Sequence, residues 1–206
     1  MSFFTVITTE KHVLAIADRM IFYPHSGEHR DGGGKIFGID GYTVVTAIGS
    51  TEFTENISSA ILKAIHFHNR NGFFKDGDLR ASLREHYKKT HGDVNYTHAM
   101  VMLGMNNNAP YFCSAHWPDF EITTGGPWGF VIPDLHYLQN GLFSAYVRGL
   151  PRQLKELQLS TANEKELVGE VEKLLRFLAG EASRMTPTVG KIYDLAIISK
   201  DGVTWK

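Results

Sequence analysis

The segment His12–Ala17 is a nearly continuous apolar run, and it restricts the possible folds more than any other feature of this sequence. An apolar run of this length without polar alternation is typical of a strand that is buried on both faces. Two charged residues, Asp18 and Arg19, follow the run directly. The sequence therefore predicts a buried strand with charged side chains at its end.

A second strand is predicted just before this run. Phe3–Thr9 mixes aromatic and β-branched residues, which favour strands. Glu10-Lys11, between the two segments, has the character of a tight turn. The two segments therefore form a predicted hairpin that begins at residue 2 or 3 and brings Asp18 back beside Ser2.

The rest of the chain alternates between groups of strands and groups of helices. Further strands are predicted at Lys35–Ile39, Tyr42–Ile48, Thr97–Met105, Pro110–Ala115, Phe120–Thr124, Lys191–Ser199 and Val203–Lys206. Helices are predicted to begin at Ser50 or Thr51, to cover Asp78–Lys89 and Leu138–Leu150, and to open after Asn163. Tyr23–Gly34 is predicted to be a loop, and Pro127–Pro133 fits no single assignment. This order indicates α+β layering, and since no repeat or linker divides residues 1–206, we expect one domain.

Composition excludes several classes of protein. Of the 206 residues, 43% are hydrophobic and 21% are charged, which is globular rather than disordered composition. The net charge of -1 argues against a nucleic-acid binder that relies on bulk positive charge. No apolar run approaches the roughly 18 residues of a membrane span, and the first residues lack the basic leader and apolar core of a signal peptide. The single cysteine, Cys113, excludes an intramolecular disulfide, so we expect a cytoplasmic protein.

The histidines do not form a convincing metal site. His66 and His68 are two residues apart in a predicted helix, and such residues do not share a face. His25 and His29 lie in the glycine-rich segment, where no third ligand is evident. We therefore expect no metal ion and no organic cofactor.

Ser2 is a candidate nucleophile. Serine is small enough that an initiator methionine before it is normally removed, and removal of Met1 would place a hydroxyl and a free α-amine on one residue. An α-amine has a pKa of about 7.7 to 8.0, so near neutral pH an unprotonated fraction can accept the hydroxyl proton. Ser2 would then supply both the nucleophile and the base.

Three further residues are candidates for the same site. Asp18 would return beside Ser2 through the hairpin, and Lys35 follows the glycines Gly32-Gly33-Gly34, which allow close backbone approach. An ammonium beside Ser2 would lower the pKa of its hydroxyl and amine, and a carboxylate would hold that ammonium in place. Gly49 stands at a strand-to-helix junction, where its N–H can face a developing oxyanion.

The sequence resembles proteasome β-type subunits over nearly its whole length. The motifs that carry the resemblance are Ala17-Asp18-Arg19, Lys35-Ile36-Phe37-Gly38-Ile39, Ala47-Ile48-Gly49-Ser50 and the ending Gly190–Val203. Their order and spacing are most similar to compact bacterial members of the N-terminal-nucleophile hydrolase superfamily, some of which lack a propeptide.

The resemblance implies a fold, an activity and an assembly. The fold would be a four-layer αββα sandwich of two antiparallel sheets. Ser2 would be the nucleophile, Asp18 and Lys35 its partners, and the Gly49 N–H the oxyanion donor. The protein would form rings or larger homo-oligomers and cleave unfolded polypeptide or peptides, with delivery by an ATP-dependent unfoldase as one option.

The sequence also departs from the family pattern. The serine of a Gly-Ser-Gly turn aligns with Gly125, the aspartate of an Arg-Asp pair aligns with Met185, and a later serine aligns with Thr188. These departures favour an alternative, in which the protein is a catalytically inactive ring or scaffold subunit with the same fold. A small-amide hydrolase of the same superfamily is a further alternative.

Overall fold

The computed structural model describes residues 3–23, 28–49, 53–54, 56–57, 76–90, 98–132, 142–186 and 189–206. The strands in these ranges are β1 (Phe4–Thr8), β2 (Val13–Asp18), β3 (Met20–Tyr23), β4 (Glu28–Asp31), β5 (Ile36–Gly38), β6 (Thr43–Ile48), β7 (Ala99–Asn106), β8 (Ala109–His116), β9 (Glu121–Gly125), β10 (Phe130–Val131), β11 (Tyr193–Ser199) and β12 (Gly202–Trp205). The helices are α1 (Asp76–Thr90), α2 (Leu142–Ser160) and α3 (Glu164–Met185). The described chain is therefore a mixed α+β structure, as the sequence predicts.

Two five-stranded antiparallel sheets contain most of the strands. The first sheet has the order β10-β1-β2-β11-β12, and the second has the order β5-β6-β7-β8-β9. The two sheets contact each other, with β1 against β6 and β2 against β7. The prediction of two antiparallel sheets is therefore confirmed.

The apolar run lies in the middle of the first sheet. Every residue of β2 is buried, and β2 pairs with β1 on one side and β11 on the other. Helix α3 contacts both β1 and β2. Since one face of β2 meets β7 and α3 also lies against the strand, the prediction of a strand buried on both faces is confirmed.

The second sheet divides its side chains between two clusters. Along β7, Val101 and Leu103 belong to the large core that also contains the first sheet and α3. Met100 and Met102 point to the other face, where they join a separate cluster with Leu79 of α1. This alternation follows from the two-residue period of a strand.

The predicted helix after Asn163 is confirmed as α3. Asn163 is its N-cap, because the side-chain Oδ1 accepts a hydrogen bond of 2.9 Å from the Glu166 N–H. One face of α3 is buried, with Val171, Leu175 and Ala182 directed into the core. The helix thereby covers the first sheet.

Two sequence assignments are corrected by the structure. The Tyr23–Gly34 loop prediction is wrong in part, because β3 and β4 form a two-stranded sheet there. Helix α2 does not end at Leu150 but continues through Pro151 to Ser160. In addition, β10 occupies part of the unassigned segment Pro127–Pro133 and pairs with β1.

The strand registers define two ends of the molecule. Asp18 pairs with Tyr193 and lies beside Phe3, and its neighbour Lys35 comes from the end of the second sheet that also carries Gly49. We call this the Asp18 end. At the opposite ends of β2 and α3, the His12 Nδ1 lies 3.3 Å from a Glu164 carboxylate oxygen, and we call this the His12 end.

None of the helices in the described part of the chain combines the length and apolar character needed to cross a lipid bilayer.

Candidate active site

Asp18 is a fully buried carboxylate at the end of the central strand. It lies there because β2 is buried on both faces and Asp18 is its last residue. Burial of an unpaired carboxylate is very costly, so such a group needs hydrogen-bond donors or a cation around it. The structure provides both.

Four donors surround the Asp18 carboxylate. Its Oδ1 accepts hydrogen bonds from the Phe3 N–H at 2.7 Å and from the Lys35 Nζ at 2.9 Å. Its Oδ2 accepts from the Met20 N–H and the Gly190 N–H, both at 3.1 Å. With both oxygens accepting two hydrogen bonds, Asp18 is suited to holding these four groups in place.

Lys35 is the cationic partner of Asp18. Its side chain is only 8% exposed, and the Asp18 side chain is fully buried. Burial lowers the pKa of Lys35 below its ordinary value of 10.5, and the attraction and hydrogen bond of Asp18 oppose that shift without cancelling it. The site therefore contains a buried ammonium that gives up its proton more readily than a surface lysine.

Gly190 allows the last part of the chain to reach the site. A Cβ at this position would lie 3.0 Å from the Met20 Cβ and 3.5 Å from the Asp18 Oδ2. A side chain there would crowd Met20, and either Met20 or the Gly190 backbone would have to shift by a few tenths of an ångström. Glycine is therefore favoured by close approach rather than by a positive φ.

A second pair of opposite charges lies next to the first. The Arg19 Nη1 is 3.8 Å from the Asp194 Oδ1. The Arg19 N–H also donates to the Ile192 carbonyl at 3.0 Å, which ties the residue after β2 to the segment before β11. Arg19 and Asp194 are both part-exposed, so removing one partner of this pair should cost less stability than removing one partner of the buried Asp18–Lys35 pair.

Ser2 lies outside the described residues. Its neighbour Phe3 is fully buried and makes two backbone contacts with Asp18: the Phe3 N–H donates to the carboxylate, and the Phe3 carbonyl accepts from the Asp18 N–H at 3.0 Å. The residue that follows Ser2 is thus fixed directly against the Asp18–Lys35 pair.

Gly49 lies at the Asp18 end but packs against a different residue. It follows β6 with a φ of +148°, a conformation that L side chains rarely adopt. The three described heavy atoms nearest to a Cβ at Gly49 would all belong to His98, with the ring Cδ2 at 2.3 Å. The structure thus brings Asp18 and Lys35 together, and places Gly49 on the same end of the molecule beside His98.

Gly125, which aligns with the serine of the family's Gly-Ser-Gly turn, lies away from the Asp18–Lys35 pair. Gly125 is the last residue of β9 and pairs with Phe112, and the carbonyl of the next residue, Gly126, accepts a 2.7 Å hydrogen bond from the Thr8 hydroxyl. Thr8 lies five residues along the chain from Phe3, which is about 16 Å at the rise of a strand. Gly125 is therefore at the His12 end and cannot stand for a serine beside Lys35.

Met185 and Thr188 are the other two positions at which the sequence departs from the family pattern. Met185 ends α3 near the Asp18 end and is 40% exposed, so no carboxylate occupies that position. Thr188 lies outside the described residues, as do His25, His66, His68 and most of the helix predicted from Ser50 or Thr51. In the described ranges, no three His, Cys, Asp or Glu side chains group as metal ligands would.

Sequence reasoning missed three of the four donors to Asp18. The Phe3, Met20 and Gly190 donors are backbone N–H groups, and a backbone group carries no side-chain signature in a sequence. A signal for one of them was nevertheless present, because Gly190 stands immediately before a predicted strand that pairs with β2. The sequence around His98 predicts only the start of a strand and gives no indication that the side chain contacts Gly49.

Comparison with known proteins adds no family assignment. No protein-family model matches the chain, and no curated protein matches it.

Proposed function

We propose that this protein is a proteasome-like amide hydrolase that uses Ser2 as an N-terminal nucleophile after removal of Met1. The observation that carries the proposal is the buried Asp18–Lys35 pair, whose carboxylate also holds the Phe3 N–H at 2.7 Å. One residue before Phe3, the hydroxyl and amine of Ser2 would lie within reach of the buried ammonium.

The four candidate residues would divide the chemistry among them. The Ser2 Oγ forms a bond to the carbonyl carbon of the scissile amide, and its proton passes to the Ser2 α-amine. The carbonyl oxygen becomes an oxyanion, which the Gly49 N–H stabilises. The C–N bond then breaks, the α-ammonium returns the proton to the leaving amine, and water hydrolyses the acyl ester by the same steps.

Lys35 would act through its charge on this reaction. A cation close to Ser2 favours the deprotonated forms of both the hydroxyl and the α-amine, and so lowers their pKa values. Asp18 would fix the lysine, since its carboxylate is itself held by three backbone N–H groups. The low exposure of the pair keeps this electrostatic effect from being screened by water.

The described layers support the proposed fold. On one side, helices α2 and α3 contact each other, and α3 contacts the first sheet. The first sheet contacts the second sheet, and α1 contacts strand β9 of the second sheet on the other side. We propose that these elements belong to a four-layer αββα sandwich of the N-terminal-nucleophile hydrolase type. We also propose a cytoplasmic homo-oligomer whose substrates are unfolded polypeptides or peptides, delivered by an ATP-dependent unfoldase.

A catalytically inactive ring or scaffold subunit is the second candidate function. The observation that favours it is Met185, which stands at the end of α3 where the resemblance calls for an aspartate. Gly125, by contrast, lies at the His12 end and favours neither candidate function.

Intact mass and a covalent probe would test the two candidates together. In the hydrolase, mass spectrometry gives a protein that lacks Met1, and a β-lactone adds its own mass to Ser2. The Ser2→Ala variant forms no adduct, whereas Ser160→Ala, which changes an exposed serine at the end of α2, reacts like the natural protein. Retention of Met1, or absence of an adduct from a protein that lacks Met1, would contradict the hydrolase and favour the scaffold.

A further inference from the structure

We propose that His98 is a positioning residue, which fixes the Gly49 peptide group in the orientation needed to stabilise an oxyanion. The inference rests on the proposed function, since it concerns the same reaction. It adds a residue that neither the sequence motifs nor the Asp18–Lys35 pair includes.

The strand register places His98 opposite Gly49. Ile48 pairs with Ala99, so the next pair along the same antiparallel ladder would be Gly49 with His98. Directly opposite residues of such a ladder project their side chains to the same face, about 4.5 to 5.5 Å apart. Gly49 has no side chain, and the imidazole of His98 occupies the space that one would need: a Cβ would lie 2.3 Å from its Cδ2 and 3.0 Å from its Nε2.

The His98 ring is itself held from two sides. It is fully buried and makes edge contacts with Phe53, at a centroid distance of 4.8 Å, and with Tyr87, at 5.0 Å. The His98 carbonyl also accepts a 2.8 Å hydrogen bond from the Trp117 N–H. Ring and backbone are therefore both restrained, and the ring has little freedom to move away from Gly49.

Packing of His98 against Gly49 limits the backbone freedom that a glycine would otherwise have at this position. The φ of +148° at Gly49 is open to glycine and strained for other residues, but glycine alone would also allow many other conformations. Packing of the His98 ring against its Cα removes part of that freedom. An oxyanion donor must keep its direction during the reaction, because stabilisation depends on donors that are already oriented.

The first test measures Gly49 without any reaction. We expect the His98→Ala variant to exchange the Gly49 amide hydrogen at least about tenfold faster than the natural protein, since the truncated side chain no longer limits the local motion of the Gly49 backbone. His98→Phe, which keeps a flat ring, should leave the exchange rate close to the natural value. Leu83→Ala is the matched control, because Leu83 is fully buried in the same cluster as Phe53 but does not face Gly49.

The second test separates oxyanion stabilisation from general damage to the site. A β-lactone acylates the serine through a tetrahedral oxyanion, whereas a vinyl sulfone adds the serine oxygen to an alkene and forms no carbonyl oxyanion. We expect His98→Ala to slow the reaction of Ser2 with the lactone, and kcat on a peptide amide, by about 10- to 100-fold. Its reaction with the vinyl sulfone and its KM should change little.

The outcomes distinguish this inference from the proposed function. Unchanged Gly49 exchange in His98→Ala, equal slowing of both probes, or an equal effect of Leu83→Ala would each overturn the role of His98. A natural protein that lacks Met1 and reacts with neither probe would overturn the proposed function, while the exchange rates would still decide whether His98 fixes Gly49.

Discussion

At the scale of single residues, Asp18 joins parts of the chain that are far apart in sequence. Its donors come from the start of the first hairpin, from the residue that begins β3, from the loop before β5 and from the loop before β11. A buried charge that is satisfied in this way stabilises one arrangement of these segments and penalises every other, because any displaced donor leaves the carboxylate short of a partner. The pair can therefore define the local structure even if it adds little net stability.

Replacement of Lys35 by methionine should destabilise the protein. The methionine removes the cation and leaves the Asp18 carboxylate buried with three backbone donors. Breaking a buried pair in this way costs about 3 to 5 kcal/mol, and we expect a loss in the free energy of unfolding near the lower value, measured by urea denaturation. Lys89→Met, which breaks an exposed pair with Glu85, should cost about 1 kcal/mol or less.

Equal losses in the two variants would contradict the claim that the Asp18–Lys35 pair is buried in solution. The double variant Asp18→Asn/Lys35→Met should lose less than the sum of its two single variants, because neither charge is then left without its partner.

The sequence was sufficient to predict that Asp18 and Lys35 would meet. The hairpin ending in Asp18 and the glycines before Lys35 are local features, and the contact between the two side chains follows from them once the sheets pack. The environment of Gly49 was not predictable in the same way. It depends on how the ring of His98 lies across a ladder between β6 and β7, and those strands are about 50 residues apart in the chain.

At the scale of elements, the structure agrees with the sequence where local signals and tertiary contacts coincide. Helix α3 has an Asn163 cap, acidic residues in its first turn and an apolar stripe, and all three point to the same boundaries. The hairpin of β3 and β4 was missed because Pro24 and the later glycines dominate the local pattern. Helix α2 was cut short because Pro151 is a strong helix breaker in the sequence, and tertiary packing of Leu150 and Leu154 overrides it.

Pro151→Ala should stabilise α2. Proline at this position lacks an N–H and cannot donate to the Val147 carbonyl one turn earlier, whereas alanine can. Residue 151 is exposed, so the exchange leaves the core unchanged. We expect a gain of about 1 to 3 kcal/mol in the free energy of unfolding, measured by thermal or urea denaturation.

Arg152→Ala, at the next exposed position, should not reproduce this gain, since that residue already has its backbone N–H. A destabilised Pro151→Ala variant would show that the proline imposes a bend that the packing of α2 requires.

At the scale of the whole molecule, two sheets separate two helical surfaces. Leu79 of α1 lies in the cluster on one side of the second sheet, and Leu175 of α3 lies in the core on the other side of the first sheet. Among the residues that the structure describes, these two clusters share no buried member. The α+β class follows from the order of the predicted elements, whereas the pairing of the sheets follows from contacts between residues that are distant in the sequence.

Leu79→Ala and Leu175→Ala should therefore have additive effects on stability. Each variant removes a fully buried leucine, and we expect each to lower the free energy of unfolding by about 2 to 5 kcal/mol. The double variant should equal the sum within about 0.5 kcal/mol in urea denaturation, because the sites are well separated. A large deviation from additivity would contradict the separation of the two clusters.

The bond between the Asp18 carboxylate and the Gly190 N–H spans 172 positions of the chain, and this has a consequence for biosynthesis. While the protein is still being made, a ribosome that has not yet released Gly190 leaves the nascent carboxylate one donor short. The four-donor arrangement around Asp18 is thus completed only after Gly190 has been synthesised, so a chain that stops before Gly190 lacks one of the four donors.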